Sequence, residues 1–360
     1  MAFSPQQLSE KLSPHLNAPR WLVAYSGGVD SEVLLQTVAA IPQRPPLIAV
    51  HINHQLQPEA ERWEQHCRHS AHLLGVSFHS ESVTVDVEGK QSLEEAAREA
   101  RYGVFERLLH SGDLLLMGHH LDDQVETLLL RLLRGSGTLG LGGMPELRAL
   151  GAGSIFRPML NQSREAIEGY ARQLGLQWVE DPSNRSVAFD RNYLRQQVLP
   201  LLAERWPSYR TTLSRAAALS EESAALNHDL AELDCRRLSL SPQAPSLAIS
   251  ALNSLSASRL KNLLRYWLQC RGLALPSMVQ MDRLLFEVID ARRDAEPLME
   301  WPGVQIRRFR DDLYAMSPLS PLPPLEESES RPLPIDEEMD LMGAGRFCLE
   351  AVKGEGISAQ

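Results

Sequence analysis

The sequence predicts an α/β fold in which a doubly wound, mainly parallel sheet is followed by a mostly helical second domain. Over the first 120 residues, short β-rich runs alternate with amphipathic stretches, a pattern typical of parallel sheets covered by helices. Beyond about residue 160 the pattern becomes helical. The predicted strands cover 20–26, 46–54, 76–85 and 113–120, and the predicted helices between them cover 31–41, 59–74 and 92–110.

The rest of the chain divides by composition. Helices are predicted within 161–205 around a Pro/Ser/Asn loop, then over 208–240, 256–271 and 277–292, with a β-hairpin in 297–316. The segment 317–335 is rich in proline and acidic residues, which is typical of a linker. We therefore expect an α/β domain over 1–215, a helical domain over 216–316, a linker over 317–335 and the start of an incomplete C-terminal domain over 336–360.

Charge is unevenly distributed along a chain whose net charge is −10. Arginine supplies 32 of the 36 basic residues, since only four are lysine. Residues 131–217 contain 12 arginines and 7 carboxylates, a local net charge of +5. The segment 326–340 contains 7 carboxylates and one arginine. An arginine-rich middle region is compatible with solvated helix faces, or with a surface that meets nucleic-acid phosphates.

Four well-separated cysteines form no CxxC pair, so neither a disulfide framework nor a zinc knuckle is predicted. They are Cys67, Cys235, Cys270 and Cys348. No apolar run approaches the roughly 18 residues of a membrane span. The expected location is the cytoplasm, without a membrane partner, and the sequence leaves the oligomeric state open, a homodimer included.

The segment SGGVDS joins the first predicted strand to the first predicted helix, and this is a phosphate-binding geometry. No lysine lies between Lys11 and Lys90, so the lysine-bearing loop of common ATPases is absent. Asp30 would repel phosphate unless it held Mg²⁺, an arrangement that suits attack on the α-phosphorus and release of pyrophosphate. The residues expected to bind ATP here are Ser26, Gly27, Gly28, Val29, Asp30 and Ser31.

A second glycine-rich segment follows a helix predicted over 122–134. Gly135, Gly137 and Gly140 match the GxGxxG dinucleotide fingerprint, but a helix precedes them where the fingerprint requires a strand. We therefore interpret this segment as a helix C-cap and loop.

The segment HHLDDQVET follows the fourth predicted strand and places carboxylates at the edge of the sheet that also carries SGGVDS. Helical spacing brings Glu126 close to both Asp122 and Asp123. These carboxylates are candidate functional groups, or they would simply favour the helix N-terminus. His119 and His120 are either nucleotide contacts or structural residues.

The second predicted strand ends in three polar residues, which we expect to line the same crevice near the adenosine: His51, Asn53 and His54. A metal site formed by the two histidines lacks an evident third ligand. Arg101 either reaches the crevice or pairs with neighbouring glutamates on its helix.

The SGGVDS segment resembles the loop of PP-loop, N-type ATP pyrophosphatases, whose fold is adenine nucleotide α-hydrolase-like. Three further segments resemble the tRNA(Ile)-lysidine synthase family: HINHQLQPEAERWEQHC, GHHLDDQVETLLLRLLRGSGTLGLGGM, and the stretch from RPML to VLPLL. The resemblance implies ATP-dependent ligation of free L-lysine to C2 of the wobble cytidine in the CAU anticodon of tRNA(Ile). It implies that Asp123 and Glu126 bind lysine and that both are catalytic, together with Asp30.

Recognition of tRNA is expected from the arginine-rich region, where loop side chains reach unstacked anticodon bases. The expected contacts are Arg185, Arg191, Asn192 and Arg195, with stem phosphates bound by Arg210 and Arg215 and also by Arg236 and Arg237. Trp178, Phe189 and Tyr193 are candidate stacking platforms or core residues.

Three alternatives remain open at this point. A PP-loop tRNA thiolation enzyme needs a reactive cysteine or a cluster near the site, and Cys67 stands alone in its domain. A PP-loop amide ligase acting on small molecules would have no use for the arginine-rich loop at 185–195. A non-catalytic ATP- or RNA-binding module would not need Asp30 opposite Asp123 and Glu126.

Overall fold

The computed structural model describes residues 2–55, 57–84, 93–292, 295, 297–318, 338–341 and 345–348. The chain divides into two compact units, Met1–Ala225 and Leu226–Gln360. Most of the linker predicted over 317–335 lies outside the described residues. So does Ser92, and with it the predicted capping box.

The first unit is built on a six-stranded sheet. Its strands are β1 Trp21–Ala24, β2 Leu47–Asn53, β3 Ser77–Ser82, β4 Leu114–Leu116, β5 Leu147–Leu150 and β6 Gly153–Phe156. Its helices are α1 Pro5–Leu12, α2 Val29–Ala39, α3 Ala60–Leu73, α4 Leu93–Leu108, α5 Leu121–Leu133, α6 Thr138–Leu141, α7 Arg164–Gln173, α8 Asp190–Tyr193 and α9 Leu199–Arg205. The long helix α10 covers Tyr209–Arg237.

The strand order is β3-β2-β1-β4-β6-β5, and every neighbouring pair is parallel except β5 with β6. The predicted doubly wound, mainly parallel sheet is confirmed. The chain proceeds from β1 to β2 and β3 on one side and resumes at β4 on the other, so the topological switch point lies between β1 and β4. Ligands bind at such a point in open α/β sheets, beyond the carboxyl ends of the strands.

Helices cover both faces of this sheet. On one face, Leu34 of α2, Ala71 of α3 and Ile167 of α7 pack with Val23 of β1. On the other face, Phe105 of α4 packs with residues of β1, β2 and β4. Strands buried on both sides explain the nearly continuous apolar runs that made them predictable.

The hairpin formed by β5 and β6 was not predicted. β5 is a four-residue edge strand whose side chains are mostly exposed, so it lacks the apolar alternation that marks a half-buried strand. The helical region predicted over 161–205 is also more broken than expected. It contains α7, a 3₁₀ turn at Pro182–Arg185, α8, a π-helical turn at Leu194–Val198 and α9.

The second unit combines helices with an antiparallel sheet of order β7-β10-β9-β8. Its elements are β7 Ser246–Ala248, α11 Ile249–Leu252, α12 Ala257–Cys270, α13 Met278–Arg283, β8 Leu298–Trp301, β9 Val304–Phe309 and β10 Asp312–Met316. A further described pair is β11 Glu338–Leu341 with β12 Gly345–Cys348. The predicted hairpin is confirmed as β8 to β10, whereas the three-residue β7 was missed.

Replacing Leu115 by alanine should lower the free energy of unfolding by about 2–5 kcal/mol, because its side chain is fully buried in β4 and the change leaves a cavity. The matched control is Leu73→Ala, since Leu73 is 71% exposed and its loss should cost about 0.5 kcal/mol or less. Urea denaturation measures both values. Equal midpoints for the two variants would contradict the described core.

Candidate active site

The SGGVDS loop forms a closed hydrogen-bonded turn between β1 and α2. The Ser31 hydroxyl donates to the Gly28 carbonyl over 3.0 Å and accepts from the Ser26 amide over 3.2 Å. The Gly28 amide donates to the Ser26 hydroxyl over 3.3 Å. These bonds fix the loop at the helix N-terminus, where backbone amides and the helix dipole favour an anion.

Two glycines allow the close approaches that this site requires. Gly27 has φ +83°, and a Cβ there would lie 2.7 Å from the Cys67 Sγ. Gly118 follows β4, and a Cβ there would lie 3.1 Å from the Asp30 backbone carbonyl. The loop after β4 therefore packs directly on the first turn of α2.

Asp30 faces the loop after β4. Its Oδ1 is buried and, among the described residues, has no hydrogen-bond partner. The His120 Nε2 lies 3.6 Å from this oxygen and 3.4 Å from the Asp123 Oδ2. A single imidazole thus connects the carboxylates that follow β1 and β4.

His120 also caps α5. Its Nδ1 accepts from the Asp123 amide over 3.3 Å, and its own amide donates to the Asp123 Oδ2 over 3.0 Å. This reciprocal pair satisfies two amides at the helix start. Sequence reasoning left His120 between a nucleotide contact and a structural residue, and the cap is a structural role.

The carboxylates control the ionisation of this cluster. Burial lowers the pKa of His120, but Asp123, Asp30 and Asp122 outweigh it and raise the pKa to about 9. Burial raises the pKa of Asp123, but His120, His119 and Arg191 outweigh it and hold that pKa below its usual range. Protonation of His120 competes with its cap, because the cap uses the Nδ1 lone pair.

Glu126 is fully buried and bound by arginine. Arg195 donates to both of its oxygens, over 2.7 Å from Nε and 2.9 Å from Nη2, and the Arg191 Nε lies 3.5 Å away. Burial raises the pKa of Glu126, although Arg195 opposes this shift. Glu126 is not among the residues that line the cavity described below, whereas Asp123 is.

Asp122 is buried and is not among the residues that line the cavity described below. It accepts from Arg210 and from the Arg164 amide at the start of α7. Arg210, predicted to contact tRNA, therefore has a structural partner and also lies over the Tyr209 ring, 4.8 Å from its centroid.

The polar end of β2 borders the same site, as predicted. The His51 Nδ1 lies 3.0 Å from the Tyr25 carbonyl oxygen, and Asn53 contacts Glu64. Burial lowers the pKa of His51 and lowers that of His54 to about 4, so both rings are neutral at pH 7. Neutral histidines suit contact with an adenosine, and a structural role would equally keep them buried.

A cavity of about 660 Å³ joins these parts, a size ordinary for small-ligand sites. Its lining includes most of the residues predicted to bind ATP, lysine or tRNA: Ser26, Gly28, Asp30, Ser31, His51, Asn53, His54, Asp123, Arg191, Asn192 and Arg195. Gly27 and Val29 lie outside the lining, because Gly27 faces Cys67 and Val29 packs into the core.

The predicted tRNA contacts occupy different environments. Asn192 donates from its amide to the carbonyls of Ser183 and Ser186, so it stabilises the loop that precedes α8. Arg191 donates to the Thr127 hydroxyl over 3.0 Å. Arg215 is exposed on α10. The side chain of Arg185 lies outside the described residues.

The remaining candidates are more easily placed. Trp178 packs against the core of the first unit, Phe189 lines the cavity, and Tyr193 is 52% exposed. Arg236 pairs with Glu232 on its own helix, and Arg237 is exposed.

Sequence reasoning missed a supporting arginine behind the site. Arg157 is buried and donates from Nε to the His119 Nδ1 over 3.0 Å. Burial lowers the pKa of His119 to about 3, so the neutral ring carries its proton on Nε2. The available signals were a charged residue at the end of an apolar run, in FRPML, and its place at the start of the RPML segment that resembles the family.

The donor set fits a cation that is shared with a substrate. Within the part of the chain that the structure describes, no group of three His, Cys, Asp or Glu side chains is arranged to hold a metal ion. Mg²⁺ commonly binds one or two carboxylates together with substrate phosphates. The Asp30 Oδ1 has no hydrogen-bond partner among the described residues and lies 3.6 Å from the His120 Nε2, so it has the chemistry for such a ligand.

No helix among the described residues is both long and apolar enough to cross a membrane.

A comparison with solved structures finds one with a similar fold. The U34-tRNA thiolase NcsA from Methanococcus maripaludis, solved with its [4Fe-4S] cluster, matches with a TM-score of 0.51 at 16% identity. The match covers 60% of this chain and 78% of the thiolase, so it shows the shared fold.

Sequence comparison is more specific. A PP-loop domain model matches residues 3–202, and a TilS substrate binding domain model matches residues 247–314. The tRNA(Ile)-lysidine synthase of Alkalilimnicola ehrlichii is 44% identical over 90% of this chain and 73% of its own length. The enzyme of Coxiella burnetii is 39% identical over 99% of this chain and 78% of its own length. The enzyme of Serratia proteamaculans is 40% identical over 97% of this chain and 81% of its own length. The chain belongs to the tRNA(Ile)-lysidine synthase family.

Proposed function

We propose that the chain ligates L-lysine to C2 of the wobble cytidine of tRNA(Ile) with a CAU anticodon, using ATP. The observation that carries this proposal is the meeting of the phosphate-binding loop with Asp30 and Asp123 around one cavity. The loop suits ATP, and the acidic residues suit a metal ion and an ammonium group. Family membership supports the combination of ATP use with lysine ligation.

The reaction would proceed in two steps. The cytosine O2 attacks the α-phosphorus of ATP, which forms an adenylated cytidine and releases pyrophosphate. The ε-amine of lysine then attacks C2, and AMP leaves. The loop at the start of α2 would hold the outer two phosphates, because its amides and the helix dipole favour an anion there.

A divalent cation would lie between Asp30 and the phosphates, and Mg²⁺ is the expected ion. The cation would neutralise charge that develops on the leaving pyrophosphate. Asp30 supports this role because its buried Oδ1 lacks a hydrogen-bond partner among the described residues and lies beside the loop.

Lysine would be bound by its ammonium group against Asp123, which lines the cavity and is held ionised by its basic neighbours. Free lysine has a pKa near 10.4, so the neutral amine costs about 4.6 kcal/mol at pH 7. An acceptor is therefore needed as attack begins, and Asp123 is the candidate group. Glu126 would contribute indirectly unless Arg195 moves, since Arg195 occupies both of its oxygens.

The thiolation alternative is not favoured. Cys67 is fully buried beneath Gly27, and burial, followed by the charges of Glu32 and Glu64, raises the pKa of its thiol to about 12. A thiol in this state is inert, because the thiolate is the reactive form. The family match gives the same result.

Incubation with ATP, labelled lysine and CAU-anticodon tRNA(Ile) should transfer lysine to the tRNA, with AMP and pyrophosphate formed in equal amounts. The matched control is the same tRNA with uridine at the wobble position, which should accept no lysine. Chromatography of the nucleotides and of the digested tRNA measures both outcomes. Formation of ADP and phosphate, or absence of transfer by folded protein, would contradict the proposal.

Asp123→Asn should lower kcat/KM for lysine by about 100-fold, because it removes a buried partner of the ammonium. Asparagine keeps an oxygen for the His120 amide, so the helix cap should survive. Pyrophosphate release without lysine should change much less. The control is Asp190→Asn, whose carboxylate is exposed and pairs with Arg134. Unaltered lysine kinetics in Asp123→Asn would reject this role.

Asp30→Asn should lower the rate of pyrophosphate release by about 100-fold and raise the Mg²⁺ concentration needed for half-maximal rate. The reason is that an amide oxygen carries no charge to hold the cation beside phosphate. A Mg²⁺ titration of pyrophosphate release compares this variant with wild type and Asp190→Asn. An unchanged Mg²⁺ dependence would exclude Asp30 as the metal ligand.

A further inference from the structure

Two exposed arginines share one aromatic ring beside the cavity. The guanidinium carbon of Arg98 lies 4.9 Å from the centroid of the Tyr102 ring, and that of Arg148 lies 5.6 Å from it. Arg98 also donates to the Tyr102 hydroxyl over 3.4 Å. Arg98 and Tyr102 belong to α4 and Arg148 to β5, so two distant segments bring these charges together.

Two less exposed arginines stand close to this pair. Arg131 donates to the carbonyl oxygens of Gly140 and Gly143, over 2.8 and 2.5 Å. Arg157 donates to the Pro145 carbonyl over 2.7 Å as well as to His119. We call Arg98, Arg131, Arg148 and Arg157, with Tyr102, the Tyr102 arginine cluster.

The glycine-rich loop that supports the cluster is fixed in place. Gln124 on α5 accepts from the Met144 amide over 2.7 Å and donates to the Met144 carbonyl over 3.0 Å. These two hydrogen bonds and the two from Arg131 hold the loop against α5, immediately before the chain enters β5. The positions of Arg131 and Arg148 are therefore set by the framework before any ligand arrives.

The cluster is electrostatically unbalanced. Among the described residues, none of its four arginines forms an ion pair with a carboxylate, whereas Arg107 and Arg172 elsewhere in the unit do. Burial lowers the pKa of Arg131, and the charges of Arg98 and Arg148 lower it further. Repulsion of this kind is relieved when an anion binds.

We propose that Arg98 and Arg148, whose guanidinium groups lie over the Tyr102 ring, bind the phosphate backbone of the tRNA anticodon arm while the wobble base enters the cavity. This inference rests on the proposed function. Arg98 uses one N–H group on the Tyr102 hydroxyl, and both guanidinium groups keep further N–H groups that can donate to phosphate oxygens. Arg131 and Arg157 add positive charge behind the contact without reaching the RNA.

Location favours RNA over the phosphates of ATP. Arg98 is in the lining of the cavity, but Arg148 is outside it and exposed on the hairpin. A row of charge that begins at the cavity and continues onto the outer surface fits a polyanion that is longer than a nucleotide. The ATP phosphates already have a separate binding loop after β1.

The test measures binding of tRNA(Ile) across a salt series, without ATP or lysine, for wild type and for Arg98→Gln/Arg148→Gln. The double variant should bind at least roughly ten-fold more weakly, since bonds to charged groups contribute about 1.5–3 kcal/mol each. The slope of log affinity against log salt should fall by about 0.7–0.9 per lost phosphate contact. Restoring charge with Arg98→Lys/Arg148→Lys should recover most of the slope.

The matched control is Arg172→Gln, which removes one exposed charge that pairs with Glu168, and it should bind as wild type does. Equal behaviour of the double glutamine variant and this control would overturn the inference. A raised KM for ATP with unchanged tRNA affinity would also overturn it, since the arginines would then serve the nucleotide. Lysine transfer by wild-type protein is scored separately, so failure of the proposed function is distinguishable from failure of this contact.

Discussion

The crowding of acidic groups at the switch point between β1 and β4 is the constraint on which the site depends. Asp30, Asp122 and Asp123 all have an oxygen within 3.9 Å of the His120 ring nitrogens. Parallel strands that end side by side bring these groups to one edge, and like charges so close repel one another. The fold keeps them together by placing a histidine between them and arginines on their outer sides.

This arrangement separates two kinds of carboxylate. Asp122 and Glu126 accept hydrogen bonds from Arg210 and Arg195 and lie outside the lining of the cavity, whereas Asp30 and Asp123 line it. Arg195 also approaches Asp123, with its Nη2 3.6 Å from the Asp123 Oδ1. The distinction matters for chemistry because a substrate in the cavity can reach Asp30 and Asp123 directly. It also gives a role to arginines of the α8–α10 region, which pair with carboxylates of α5.

The sequence was sufficient for the parallel sheet and for the two loops at its edge, because buried strands and the SGGVDS turn leave strong local signals. It was insufficient to predict which basic residue pairs with each carboxylate. Helical spacing correctly grouped Glu126 with Asp122 and Asp123, but spacing cannot reveal that Arg195 covers Glu126 from 69 positions away. The exposed strand β5 could not be predicted for a related reason. It is a strand because its backbone pairs with β6, and its own side chains carry no strand pattern.

The contact between Gly118 and the backbone of Asp30 has a consequence for how this chain can vary. Two segments 88 positions apart meet main chain to main chain. No side chain lies at this contact, so no shorter side chain there could make room for a larger residue at Gly118. A substitution at Gly118 cannot be compensated by a neighbouring residue, only by moving the loop itself. Substitutions should therefore be tolerated at positions near this contact, whereas Gly118 itself should stay glycine.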